Sequence, residues 1–313
     1  MPELPEVETV RRQLEPVLVG RRFERVAIFD PRLVQPADPD EVARRLEGER
    51  VAAVERRGKY LIVRFESGRA LLVHLRMTGS LRHVAAGRTL EPDPYRRAVV
   101  SLDDGSDVGY RDVRRFGTWV LLDRDETEPY LASRLGEEPF ARRFTAAALA
   151  ARLASRRAPI KAAILDQRAV AGLGNIYADE ALWRARIHPS RPAGALSAAE
   201  VARLHRAVRA ALATGIERQG ATLRDYATPD GASGGMQHEF KVYGRAGEPC
   251  PRCGTAIAKT RAAGRGTWFC PRCQRENAPT EPAVAAPGRR TREPQAASFS
   301  SSAPERSRRH SSA

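Results

Sequence analysis

No stretch of the 313-residue chain stays apolar for the roughly 20 residues that a membrane-crossing helix needs, which excludes a bilayer-spanning helix. The charged N-terminus also lacks the apolar core of a secretory signal, so a cytoplasmic location with no membrane partner is expected. Cysteine is scarce, at four. Cytosolic thiols stay reduced, so these four are not read as a disulfide framework. No repeat of solenoid length is present. Acidic residues are in deficit, 38 Asp+Glu against 53 Lys+Arg, for a net charge of +15. Such an excess favours a polyanionic partner, usually nucleic acid; alone it also fits a solvated, Arg-rich surface.

What is present divides the chain into unlike parts. Val7, Val10, Leu14 and Val17 recur at helical spacing behind Pro5, which suits a first helical turn. From about 20 to 125 the chain is β-rich, with FERVAIF (23–29), RVAAVERRG (50–58), KYLIVRF (59–65), RALLVHLRM (69–77) and TWVLL (118–122), and with ESGR and LDDGSD as turns. This predicts a sandwich or barrel. Helical patterns follow at 144–154, with Thr145 as N-cap, at 159–167, at 176–185, and at 197–216, where Ser197 and Glu200 form a capping box. A Gly-rich loop, 220–237, leads to the cysteines. The last 36 residues, 278–313, are rich in Pro, Ser, Ala and Arg and predict a disordered basic tail, a weak DNA tether.

Two CPRC pairs, Cys250/Cys253 and Cys270/Cys273, have the spacing of a four-thiolate zinc site. A closed set of four soft ligands is structural, so one structural zinc ion is expected to fold a ribbon whose hairpin carries Lys259, Arg261 and Arg265. In VAGLGNIYADEAL, Asn175 stands at a helix start that favours an anion, although an ordinary packing turn with an Asn N-cap fits the stretch equally well. Met77 in HLRMTGSL and Phe116 in DVRRFG read either as core residues or as wedges for a DNA stack with a base removed. Lys59 in RRGKYL reads alone as a solvated edge lysine.

Taken together and in order, PELPEVE, GKYL, HLRMTG, DVRRFG, GLGNIYADE, QHEFKVYGRAGEPCPRCG and GRGTWFCPRCQ resemble the bacterial formamidopyrimidine-DNA glycosylase family over about residues 2–275. The resemblance implies an α+β multidomain chain: an N-terminal β-sandwich with an N-terminal helix (2–135), a helix–two-turn–helix domain (136–238) whose loop 220–237 covers the lesion, and a C-terminal zinc ribbon (239–277). It implies a monomer acting on damaged double-stranded DNA. It also implies removal of Met1, leaving Pro2 as an amine nucleophile with Glu3 as general acid/base. An α-amine's ordinary pKa, about 7.7–8.0, leaves part of it unprotonated near neutrality. Glu6 is expected to position that pair, or merely to complement the helix start. By the same resemblance Lys59, His74, Arg115, Asn175 and Arg265 contact phosphates, with Lys59 nearest the chemistry and Lys259 adding charge. Met77, Arg114 and Phe116 fill the void left by the extruded base. Arg76 stands where the family often has glycine, and Gly266 where serine is frequent. Two other readings share parts of this pattern: an endonuclease VIII-type glycosylase for oxidised pyrimidines, and a noncatalytic zinc-ribbon DNA-binding protein.

Overall fold

The computed structural model describes residues 2–223 and 226–276. The tail expected at 278–313, and Arg224 and Asp225 within the loop, lie outside the described residues. The N-terminal part runs α1 (Leu4–Leu18), β1 (Phe23–Ile28), α2 (Pro39–Leu46), β2 (Val51–Arg57), β3 (Tyr60–Phe65), β4 (Ala70–His74), β5 (Gly79–Val84), β6 (Arg96–Leu102), β7 (Asp107–Asp112) and β8 (Thr118–Leu122). These strands form two four-stranded antiparallel sheets, ordered β1-β6-β7-β5 and β2-β3-β4-β8. Their facing sides share a core that includes Val26, Leu61, Val63, Leu71, Val73, Val100, Val108 and Trp119, onto which α1 sets Val7, Val10, Leu14 and Leu18.

The sequence patterns follow from which faces are covered. β6 alternates, burying Ala98, Val100 and Leu102, because only one of its faces meets the core. β4 is buried at every position. Its second face packs with Tyr60, Ile62, Leu131 and Leu135, the last two from α3 (Thr127–Ala132) and the turn after it. A strand covered on both faces reads as an unbroken apolar run, which is how ALLVH appears. α2 was not anticipated, although Asp38 before Pro39 is a helix-start signal and its carboxylate accepts from Glu41 N at 2.9 Å.

The helical part contains α4 (Ala146–Leu153), α5 (Ile160–Leu165), α6 (Asn175–Ala185) and α7 (Ala198–Glu217). Thr145 caps α4 through Ala148 N, and the Ser197–Glu200 box starts α7 with both reciprocal bonds formed. α6 is buried at nine of its eleven positions. It has α7 on one side, the N-terminal segment at its start, and the ribbon hairpin β9 (Ala258–Ala262) and β10 (Arg265–Phe269) on the other. That placement makes α6 the element against which the chemistry is arranged.

Candidate active site and nucleic-acid interface

The start of α6 is capped by a side chain from 171 residues earlier. Glu3 Oε2 accepts from Gly174 N at 2.7 Å and Oε1 from Ile176 N at 2.9 Å. The N-cap position is Gly174, not Asn175, so the Asn N-cap reading fails. Only glycine allows the approach, because a Cβ at Gly174 would lie 2.3 Å from Glu3 Cδ. Gly172, at φ 84°, is likewise pressed against Leu4 and accepts Leu4 N through its carbonyl at 3.0 Å. Glu6 is held as firmly: Oε2 accepts from Glu3 N at 2.8 Å, and Oε1 from the Tyr177 hydroxyl and from Ala221 N, both at 2.8 Å. Both carboxylates are about 1% exposed.

Burial pushes the Glu3 carboxyl up to about 7, against the pull of Lys59 and the Ile176 N–H. A carboxyl poised there can both give and take a proton near neutral pH. Lys59 is itself buried, not a solvated edge lysine, and desolvation lowers its pKa while Glu3 partly restores it. Pro2 and Glu6 line a cavity of about 340 Å³ with Met77, Thr78, Ile176, Leu223, Tyr226 and Tyr243 among the other walls. His74 is buried on β4, its ring 4.8 Å from that of Tyr60, the residue after Lys59. Its Nδ1 accepts from Arg76 N at 3.0 Å, which leaves Nε2–H as donor, and burial lowers its pKa to about 3. His74 is therefore a neutral donor.

Met77 and Phe116 are 36% and 52% exposed, which removes the core reading for both. Arg114 lies over the Phe116 ring at 4.7 Å. Sequence reasoning missed what joins the two loops. Buried Asp112 accepts from the Thr78 hydroxyl and, at 2.7 Å, from Gly117 N, while Thr78 Oγ1 accepts from Arg114 N at 3.0 Å. Both residues lie inside the quoted motifs and show their role only once the strands are paired. Arg115 stands apart from this set: at φ 60° it forms a two-pronged pair with Asp30.

On its other side α6 meets the ribbon. Asn175 Nδ2 donates to Gly266 O at 3.1 Å, while its buried Oδ1 has no partner among the described residues. Lys161, absent from the sequence expectations, donates to the same carbonyl and to Thr267 Oγ1, both at 2.8 Å. It also pairs with Asp179 at 2.8 Å, both side chains fully buried. Asp179 accepts from Trp268 N, and Glu180 accepts from the backbone N–H groups of Lys241, Val242 and Tyr243. The Lys161 and Asp179 bonds hold β10 directly after Arg265, which is exposed and has no ion pair among the described residues. Lys259 lies 5.4 Å over the Trp268 ring.

The four cysteine sulfurs lie within 4.8 Å of one another, Cys253 and Cys270 at 3.5 Å. Zn–S bonds of about 2.3 Å in a tetrahedron require sulfurs roughly 3.8 Å apart, so the cluster fits such an ion. Cys250 also accepts from the Trp183 indole at 3.5 Å, which ties the knuckle to α6. The loop that opens at Gly220 is anchored where it is described: Tyr226 OH donates to Gln219 O at 3.1 Å, and His83 N to Pro229 O at 3.1 Å.

Comparison with known proteins agrees with this geometry. Residues 1–119 match the formamidopyrimidine-DNA glycosylase N-terminal domain, 135–227 the formamidopyrimidine-DNA glycosylase H2TH domain, and 247–275 a zinc finger found in FPG and IleRS. A formamidopyrimidine-DNA glycosylase of Symbiobacterium thermophilum is 50% identical over 93% of this chain and 95% of its own. Lactococcus lactis Fpg in complex with a N7-benzyl-Fapy-dG containing DNA superposes with a TM-score of 0.81 at 38% identity, covering 88% of this chain and 100% of that one. The same organism's enzyme with an oxidised pyrimidine containing DNA gives 0.80 at 39%, with the same coverage. With its sandwich, α6 junction and four-cysteine ribbon, the chain belongs to the formamidopyrimidine-DNA glycosylase family.

Proposed function

We propose that this protein is a bifunctional DNA glycosylase and AP lyase of base excision repair, excising 8-oxoguanine and formamidopyrimidines from duplex DNA. One observation carries the reading. Pro2 faces a cavity beside a buried carboxyl, Glu3, that burial raises to about 7. Once Met1 is removed, Pro2 offers a secondary amine. A damaged nucleotide, turned out of the stack, enters the cavity between Ile176 and Tyr243. The Pro2 nitrogen attacks C1′, the C1′–N bond breaks, and its electron pair leaves with the base, which takes up a proton. Glu3 protonates the ring oxygen as the sugar opens, giving an iminium. The iminium acidifies the C2′–H bond, and loss of that proton expels the 3′ phosphate. A second elimination expels the 5′ phosphate.

Lys59, His74, Asn175 and Arg265 hold phosphates around this centre, and Lys259 adds charge at the ribbon face. Met77, Arg114 and Phe116 fill the vacated stack. Arg115 joins the phosphate contacts once it leaves Asp30. Residues 2–135 bring the nucleophile, 136–238 the anchored start of α6, and 239–277 the hairpin. Cys250, Cys253, Cys270 and Cys273 would hold a zinc ion, which would supply a structural crosslink for the ribbon.

Borohydride reduction on a duplex with 8-oxoguanine opposite cytosine tests the reading. The wild type should become covalently joined to DNA, and Pro2→Gly should lose or strongly weaken that adduct. Tight binding without an adduct, with Met1 removal confirmed, would favour a noncatalytic DNA-binding protein. The Lactococcus lactis complex with an oxidised pyrimidine favours a second substrate class. Thymine glycol cut much faster than 8-oxoguanine would reassign the preference to pyrimidines.

A further inference from the structure

Arg76 occupies a backbone conformation that costs free energy. Its φ is 51°, in the left-handed region, where a residue with a Cβ is disfavoured and glycine is not. The turn needs a positive φ there: Arg76 N reaches back to His74 Nδ1, and Gly79 N closes the turn on Leu75 O at 2.9 Å. Glycine would satisfy both bonds without strain, and glycine is what the family resemblance leads one to expect. The arginine is exposed and forms no ion pair or side-chain hydrogen bond among the described residues. It therefore contributes nothing visible to the fold that offsets its conformation.

Its position suggests what it does. It directly precedes Met77, which lines the cavity with Pro2. Its charge falls on Lys59 and His74 and helps hold both toward their neutral forms. Arg265 acts on Lys59 in the same sense from the ribbon. Lys59 thus feels two exposed cations, Arg76 and Arg265, against two buried acids, Glu3 and Glu6. Exposed arginines with no ion pair among the described residues, one of them flanked by Met77 of the cavity and bonded through its backbone to His74, favour an anion.

We propose that Arg76 is a further phosphate-binding residue of this chain, holding the backbone of the damaged strand beside the extruded nucleotide. The inference rests on the glycosylase reading above. Arginine suits the role because its planar fork matches two phosphate oxygens and it stays charged beside other cations.

The test compares Arg76→Gly, Arg76→Ala and Arg76→Lys with wild type, by fluorescence anisotropy on a duplex carrying a non-cleavable abasic analogue, across a salt series. Gly and Ala should each weaken binding, roughly five- to tenfold near 0.1 M salt, and make the slope of log K against log salt shallower by about one. Lys should retain the slope. Arg76→Gly should melt no lower than Arg76→Ala, because it relieves the backbone while removing the same charge. Gly and Ala variants that bind as wild type with an unchanged slope would overturn the proposal while leaving the glycosylase reading intact. A wild type with no salt-sensitive affinity for the duplex would overturn both.

Discussion

Helix α6 has two seams, one against the N-terminal segment and one against the ribbon, and buried carboxylates close both. At the first, the acids belong to the partner segment: Glu3 and Glu6 accept from the backbone at Gly174, Ile176 and Ala221. At the second, they belong to α6 itself: Asp179 and Glu180 accept from the backbone at Trp268, Lys241, Val242 and Tyr243. Burial raises the carboxyl pKa of Glu3, Asp179 and Glu180 alike. The seams differ in what meets the charge. Asp179 touches Lys161 and the two are sealed from solvent. Glu3 feels Lys59 without an ion-pair contact, beside a residue that faces a cavity. On the proposed reading, similar groups thus make a rigid joint in one place and a proton donor in the other. Direct pairing and access, rather than burial alone, separate the two roles.

The largest effect that would sharpen this contrast is expected from Glu3→Gln. It removes the proton carried beside Pro2, so single-turnover base release should fall by roughly 10²- to 10⁴-fold. Binding to the abasic-analogue duplex should stay within a few-fold of wild type. An equal loss from Asp179→Asn with binding retained would break the distinction, because it would give the sealed seam a share in the chemistry.

Lys161→Met should act the other way round. It strands Asp179 without its cation, and removing one partner of a buried pair costs about 3–5 kcal/mol. Denaturant unfolding should report that loss, and adding Asp179→Leu should recover most of it. DNA affinity should also drop, because Gly266 and Thr267 lose the ammonium that fixes the Arg265 turn. A variant as stable as wild type would mean that the ribbon seam rests on its backbone bonds to Glu180 instead.

The two seams were unequally legible in the sequence. The sandwich, the long helices and their caps could be read from periodicity and capping residues, and the ribbon from two CPRC pairs. Pro2, Glu3 and Gly174 sit in compact motifs whose local chemistry is odd enough to notice. Lys161 and Asp179 look like polar residues on ordinary helices, and nothing local shows that they meet 18 positions apart. α2 escaped because an eight-residue helix with two buried apolar side chains has almost no periodic signal, only its Asp38 cap. The Arg115–Asp30 pair could not be foreseen either, since it depends on the end of β1 lying beside the loop after β7.

The smallest expected effect concerns pH and isolates the first seam. Glu3 goes from an ordinary value of 4.5 to about 7 in the folded chain. Between those values the folded protein keeps a proton that the unfolded chain has released, so this group's contribution to stability is full below about 4.5 and is lost as pH rises toward 7. Glu3→Gln has no such proton. Wild-type stability minus that of Glu3→Gln should therefore fall with rising pH across this window, by on the order of 1 kcal/mol, since a shift of one unit corresponds to about 1.4 kcal/mol and relaxation of the site reduces it. His74 works in the opposite direction: its folded form stays neutral down to about pH 3, so its contribution is lost as pH falls below 6.5. It is present in both proteins and cancels in the difference. Urea unfolding at half-unit steps from pH 4.5 to 8 would measure it. A flat difference would mean that Glu3 is already ionised at pH 4.5, held so by the Gly174 and Ile176 N–H groups and Lys59; it would then serve the reaction only as a base, and another group would have to protonate the sugar oxygen.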